Sequence, residues 1–333
     1  MSANVAVVGA TGAVGQEFLT VLAERNFPMK NLRLLASARS AGKEVVFKGE
    51  TFKVEELTKD SFKGVEIALF SAGGSISKEY GPAAVSAGAV VVDNSSCFRM
   101  KEGVPLVVPE VNPEQIAKHN GLIANPNCST IIMNVPVWPL HKANRVKRIV
   151  VSTYQAVSGA GAWGLYELDA QLKAYAAGQP ITREKFPHQI VNNLFSHNSK
   201  IGDDGYNEEE MKMVKETRKI FGDAKIMVTA TCVRVPVPRA HCESINLEFE
   251  RPITPQQVRE ILSKAPGVKI VDDRERNHVP MPLDASGQDD VLVGRIRQDI
   301  SRDDGRGIEL FVSGDQLRKG AATNAVQIAE RLI

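Results

Sequence analysis

Cysteine is scarce in this chain, with four in 333 residues. Cys97, Cys128, Cys232 and Cys242 are too few and too scattered for a disulfide framework. No C-x-x-C or H-x3-H pair occurs, so the usual spacing of a structural zinc site is missing and no metal is expected. Charge of one sign is missing as well. Lys+Arg 41 against Asp+Glu 39 leaves a net +2, without the basic stripe of a nucleic-acid binder. No apolar run reaches the ~18 residues that a membrane span needs. The first residues, MSANVAVVGATG, lack a charged n-region and run straight into a strand pattern, unlike a signal peptide. These absences leave the expectation of a cytoplasmic globular protein in a reducing compartment, most simply an enzyme. What is present supports that: 43% apolar residues can build a sizeable core, and the length suggests two domains.

The first half alternates short apolar runs with helical spacing. Strands are expected at 5–8, 32–35, 67–70, 89–92 and 122–124, with helical stretches around Phe18, Leu19 and Leu22 and over 77–87. Fully apolar strands separated by helices argue for a parallel sheet covered on both faces. After about residue 128 the pattern changes to long alternating strands at 148–157, 226–235, 241–250 and 291–298, which suggests an antiparallel or mixed sheet. Helices are expected at 163–177, 208–221 and 255–262. The tail 316–332 reads as one amphipathic helix, and 272–287 as an irregular loop.

The run Val5-Ala6-Val7-Val8-Gly9-Ala10-Thr11-Gly12-Ala13-Val14-Gly15 reads as strand, tight turn and helix. Gly9 permits the turn, Gly12 lets a pyrophosphate approach the backbone, and Gly15 lets the helix pack on the strand. The GxxGxxG spacing is a variant of the dinucleotide fingerprint, and its position after the first strand supplies the context that fingerprint needs. NAD readers place an acid after the second strand. Here Ser37-Ala38-Arg39-Ser40 carries none. Arg39 with the hydroxyls of Ser37 and Ser40 could hold a 2′-phosphate, so NADP is expected, with a solvated loop arginine as the plainer alternative.

Cys128 follows a strand in Asn125-Pro126-Asn127-Cys128-Ser129-Thr130 and precedes an apolar helical stretch. A helix N-terminus stabilises a thiolate, and the first-turn N–H groups can face an oxyanion. A buried, inert thiol is the competing reading. Cys97 lacks a following helix, and Cys232 and Cys242 lie within strands. His241 cannot readily serve its neighbour Cys242, because adjacent strand residues point to opposite faces. It could serve a cysteine brought from elsewhere, as a general base with a pKa near 7, with a plain surface or core histidine as the equally open reading. His119, His141, His188, His197 and His278 look ordinary. Glu208-Glu209-Glu210 opens a helix, where acids complement the dipole without any further role.

Taken together these segments resemble aspartate-β-semialdehyde dehydrogenases over essentially the whole chain. The matching pieces are GATGAVG, DNSSCFRM at 93–100, PEVNP at 109–113, NPNCST at 125–130, TYQAVSGAG at 153–161, EEEMK at 208–212, RVPVPRAH at 234–241 and GDQLRKGAATNAVQIAE at 314–330. The resemblance implies an α/β chain: an NADP-binding Rossmann-type parallel-sheet domain at 1–127, an α+β catalytic and dimerisation domain at 128–313, and a helix at 314–333 returning to the first domain. It implies Cys128 as nucleophile, His241 as acid/base and Gln155 orienting the acyl intermediate. Arg234 would hold the substrate carboxylate, Arg99 and Lys212 with Asn127 would face phosphate, and Glu209 would lie near the substrate amino group. The cofactor shell would be Gly9, Thr11, Gly12, Ala13, Val14, Ser37, Arg39, Ser40, Ser71, Ala72, Gly73, Ser158, Gly159, Gln316 and Asn324.

The implied reaction is NADPH-dependent conversion of L-aspartyl-4-phosphate to L-aspartate-4-semialdehyde through a cysteine thioester. It serves lysine/diaminopimelate, threonine, methionine and isoleucine biosynthesis, in a homodimer without nucleic-acid or membrane partners. Open alternatives are an N-acetyl-γ-glutamyl-phosphate reductase, a glyceraldehyde-3-phosphate dehydrogenase and a non-catalytic NADP sensor. The sensor would need no nucleophile.

Overall fold

The computed structural model describes residues 2–333, in two compact units. The first runs to Asn127 and includes Ala321–Ile333; the second is Cys128–Gly320. Residues 314–320, grouped with the tail in the sequence reading, therefore cluster with the second unit.

The first unit contains β1 (Ala3–Val8), α1 (Ala13–Glu24), β2 (Met29–Ala36), β3 (Glu44–Phe47), β4 (Glu50–Lys53), β5 (Glu55–Glu56), β6 (Ile67–Phe70), α2 (Gly74–Ser86), β7 (Val90–Asp93) and β8 (Leu122–Ala124). Its six-stranded sheet has the order β5-β2-β1-β6-β7-β8 with every pairing parallel. Alternate residues of β1 feed two cores. Val5 and Val7 pack with Phe18 and Leu22, whereas Ala6 and Val8 pack with Phe62 and Phe70. Each of the larger side chains contributes about 1.5–3 kcal/mol by leaving water, which explains the unbroken apolar runs. The C-terminal helix, Thr323–Glu330, adds Ala325, Val326, Ile328 and Ala329 to the first core. The antiparallel hairpin β3–β4 was not anticipated.

The second unit contains α3 (Cys128–Ala143), β9 (Val146–Gln155), α4 (Ala162–Ala176), β10 (Phe195–Ser196), α5 (Glu208–Phe221), β11 (Met227–Arg234), β12 (His241–Phe249), α6 (Pro255–Leu262), β13 (Val268–Ile270), α7 (Pro282–Ala285), β14 (Val291–Gln298) and β15 (Gly307–Gly314). Its mixed sheet has the order β10-β11-β9-β12-β15-β14-β13. Strand β15, between β12 and β14, was missed because Gly307 and Gly314 at its ends resemble loop residues. The expected loop at 272–287 contains the short helix α7. The tail is not one uniform helix: a π-helical turn at Arg318–Ala322 precedes Thr323–Glu330. One sheet face buries Val151, Thr153, Gln155, Cys232, Arg234, His241 and Glu243, and α3 and α5 pack on these strands.

Candidate active site

Three strand ends converge in the second unit. Gln155 closes β9 and Arg234 closes β11, and the parallel register pairs them directly. Strand β12 runs antiparallel to β9, so His241 at its start reaches the same end of the sheet. Ala240 precedes it at φ +68, a left-handed conformation that costs an L-residue about 1–2 kcal/mol. Its N–H donates to Gln316 Oε1 at 2.7 Å, which helps hold the bend that aims His241 inward.

Cys128 is the first residue of α3, and its Sγ lies 3.4 Å from His241 Nε2. His241 is fully buried, and burial with the Arg234 charge brings its pKa down to about 3 against the pull of Glu209. The expectation of a histidine titrating near 7 is therefore corrected: the ring is neutral. Its Nδ1 accepts the Ala156 N–H at 3.0 Å, so the neutral ring carries its proton on Nε2, facing the sulfur. Burial raises the Cys97 and Cys232 thiols and pushes Cys242 up to about 11.

Gln155 is pinned at both ends of its amide. Thr153 Oγ1 donates to Oε1, and Nε2 donates to Glu209 Oε1, both at 3.1 Å. Lys212 Nζ reaches Glu209 Oε2 at 3.0 Å. Arg234 is 2% exposed; its Nη1 donates to Ala156 O at 2.6 Å, while Nε is buried without a hydrogen-bond partner. An orphaned guanidinium N–H is costly unless an acceptor arrives, and a carboxylate is the best-matched acceptor. A Cβ on Gly159 would come within 3.3 Å of both Arg234 Nη1 and His241 Cε1, so glycine leaves the pocket open there.

The three glutamates of α5 divide their work. Asn207 caps the helix in a reciprocal box with Glu210, which also accepts the Cys232 N–H at 3.0 Å. Glu208 is exposed, and only Glu209 is bonded to Gln155 and Lys212. Capping and the inward carboxylate are thus both real, on different residues. His197, dismissed as ordinary in the sequence, is a correction. Burial lowers its pKa to about 4, and Glu209, Arg234 and Lys212 all act on it electrostatically. Its polar neighbours Ser196, Asn198 and Ser199 gave no sign of this.

In the first unit, Gly9 has φ +86, and a Cβ there would strike Ser71 O at 2.5 Å. A Cβ on Gly15 would lie 2.1 Å from Gly9 O. The start of α1 has no side-chain cap after Gly12. Gly73, at φ +93, is the N-cap of α2 and follows Ser71 and Ala72. Two helix starts after sheet strands, with close backbone approach, fit a dinucleotide's phosphates. Thr11 Oγ1 bonds Ser40 Oγ at 3.4 Å, and Arg39 and Ser37 are exposed. The nearest sheet acids, Glu55 and Glu56, pair in register with Leu35 and Ala36, and Glu55 meets Arg33. Arg99 donates from Nε to Asn125 O and from Nη2 to Asn94 O, both at 2.9 Å. Asn324 donates to Val107 O and Asn125 Oδ1. Asn127 is buried at the end of this unit. Ser158, Gly159 and Gln316 belong to the second unit, where the Gln316 amide nitrogen donates to Ser158 Oγ. Among the described residues no His/Cys/Asp/Glu group is arranged for a metal, and no helix is long and apolar enough to cross a membrane.

Two family models match: a semialdehyde dehydrogenase NAD binding domain over residues 4–119 and a semialdehyde dehydrogenase dimerisation domain over 137–319. An aspartate-semialdehyde dehydrogenase of a Synechocystis species is 56% identical, over 99% of this chain and 97% of its own. The aspartate semialdehyde dehydrogenase II of Vibrio cholerae, solved in complex with ASA, is 49% identical with a TM-score of 0.97, covering 100% of this chain and 98% of that one. The Candida albicans aspartate semialdehyde dehydrogenase, solved with NADP, is 25% identical with a TM-score of 0.79 over the full length of both chains.

Proposed function

The chain belongs to the aspartate-semialdehyde dehydrogenase family, and from that premise we infer how its own residues perform the reaction. It is an oxidoreductase of amino-acid biosynthesis that uses a nicotinamide cofactor to convert L-aspartyl-4-phosphate to L-aspartate-4-semialdehyde and phosphate. The observation that carries the mechanism is Cys128 Sγ, 3.4 Å from His241 Nε2, in a site walled by the buried Arg234.

Arg234 takes the substrate carboxylate on its unpartnered Nε, and Glu209 takes the ammonium. Cys128, held as thiolate by the helix start and the His241 Nε2–H, attacks the acyl carbon. The S–C bond forms, the C–O bond to phosphate breaks, and a thioester remains on Cys128. Lys212 meets the departing phosphate; Arg99 and Asn127 of the first unit are assigned the same role from their motifs. Gln155, fixed through Thr153 and Glu209, orients the thioester. When bound, the nicotinamide supplies a hydride to this carbonyl. His241 Nε2–H hydrogen-bonds the oxygen on which negative charge develops, and donation there lowers the barrier more than in water because the site is buried. Collapse of the resulting thiohemiacetal alkoxide re-forms the C=O bond, breaks the C–S bond and releases the aldehyde, returning Cys128 as the thiolate.

Gly9, Thr11, Gly12, Ala13, Val14, Ser71, Ala72, Gly73 and Asn324 of the first unit, with Ser158, Gly159 and Gln316 of the second, would hold the cofactor. Ser37, Arg39 and Ser40 favour NADP over NAD. The enzyme works as a cytoplasmic homodimer through the region matched by the dimerisation model.

The test is NADPH formation from L-aspartate-4-semialdehyde and NADP, with and without phosphate. Phosphate-dependent reduction of NADP is the expected result. Turnover only with N-acetyl-L-glutamate 5-semialdehyde, or none with either aldehyde, would overturn the assignment.

A further inference from the structure

Glu209 is held from behind by a chain of hydrogen bonds that the reaction above does not use. Its backbone N–H donates to Ser199 Oγ at 3.2 Å. The first N–H groups of a helix have no intrahelical acceptor, so Ser199 satisfies one of them. Ser199 Oγ lies 3.1 Å from His197 Nδ1, and Ser199 N–H reaches the same nitrogen at 3.3 Å. The backbone N–H can only donate, so Nδ1 is unprotonated and the neutral ring carries its proton on Nε2. With Nδ1 as acceptor, the Ser199 hydroxyl proton points to the histidine, and the oxygen lone pairs are left to face Glu209 N–H. The backbone N–H of His197 is itself anchored on Cys232 O at 2.8 Å, which ties the relay to β11.

We propose that His197 is a positioning residue for Glu209, acting through Ser199 to fix the helix turn from which that carboxylate meets Gln155, Lys212 and the substrate ammonium. The proposal rests on the reading of Glu209 as a substrate-facing group. The groups facing the ring are Glu209 and Lys212 from α5, Arg234 from β11 and His241 from β12. Burial keeps the ring neutral among them, which preserves the acceptor at Nδ1.

The experiment compares His197→Ala, His197→Asn and His197→Gln with the wild type in the phosphate-dependent oxidation of L-aspartate-4-semialdehyde. Asparagine places its amide oxygen where Nδ1 stands; glutamine reaches the position of Nε2 instead. His197→Ala should raise the KM for the aldehyde about three- to tenfold, the scale of one hydrogen bond, with a smaller change in kcat. His197→Asn should return KM to within about twofold, and His197→Gln should not. Ser199→Ala, which cuts the relay and leaves the ring in the chain, should show the same KM effect, and adding His197→Ala to it should add little.

An unchanged KM in His197→Ala, rescue by glutamine rather than asparagine, or full additivity of the two alanine variants would each overturn the relay. If the wild type itself turns over only a different aldehyde, the substrate reading fails, and the same comparison on that aldehyde still decides the relay.

Discussion

A Cβ built on Gly320 would sit 2.9 Å from Cβ of Cys128 and 3.3 Å from its Cα. Gly320 is thus the floor against which Cys128, the proposed nucleophile, rests. The neighbour cannot yield cheaply, because the crowded atoms are the root of the cysteine and not the end of a flexible side chain. Gly320→Ala should cost about 1–3 kcal/mol of stability by overpacking. Displacement of the sulfur should lower kcat by about ten- to a hundredfold. Thermal unfolding and steady-state kinetics read the two effects separately; a variant with wild-type kcat would show that the sulfur tolerates the push.

Cys128→Ala should fold and lose at least ~10³-fold in rate, the scale of removing a covalent catalyst. Cys97→Ala, Cys232→Ala and Cys242→Ala should keep activity wherever packing survives, since burial raises the thiol pKa of each. Near-normal turnover by Cys128→Ala would sink the thioester route.

Lys212 is half-buried and bonded to Glu209. If it meets the phosphate, Lys212→Ala should raise the KM for phosphate about tenfold and leave the KM for NADP within about twofold. A loss confined to NADP would move this lysine out of the phosphate role.

Arg39 is exposed in a 3-10 turn after β2, and no acid occurs in 37–40. A charge-assisted bond to a 2′-phosphate contributes roughly 1.5–3 kcal/mol. Arg39→Ala should therefore raise the KM for NADP at least about tenfold, with NAD kinetics within a factor of about three. Equal losses for both cofactors would assign Arg39 to loop support or adenine stacking.

Glu243 is fully buried in β12, and neither carboxyl oxygen has a hydrogen-bond partner. Burial raises its pKa well above the usual carboxylate value of 4.5. The folded chain keeps this group protonated while the unfolded chain ionises, so stability is lost as pH rises from 4.5 through the folded pKa. Glu243→Gln removes that loss. Its stability advantage should grow as pH rises above 4.5 and level off above the raised folded pKa, measured by denaturant unfolding. An advantage independent of pH would mean that the carboxyl ionises in place.

The first unit was legible because its signals are local. Apolar strand runs, glycines at a tight turn and helical spacing act over a few residues, and they predicted a parallel sheet with a dinucleotide turn. Cys128 was legible for the same reason, since a helix start is visible in the residues around it. Helices were expected at 208–221 and 255–262, and the structure places α5 and α6 at Glu208–Phe221 and Pro255–Leu262.

Other features depend on chain segments far apart in sequence. Cys128 and His241 meet across 113 residues, through the antiparallel register of β12 on β9 and the packing of α3 on those strands. The tautomer of His241 depends on the Ala156 N–H, and its low pKa on burial beside Arg234. The choice of Glu209 over Glu208 and Glu210 depends on where Gln155 ends its strand. His197 and Gly320 matter only through what packs against them. Local patterns in the chain were enough for most of the elements and for the inventory of chemical groups, though not for β3–β4, β15 or α7. Which of those groups share a site, and in which protonation state, follows from long-range register and burial, because these set distances and desolvation that no local pattern encodes.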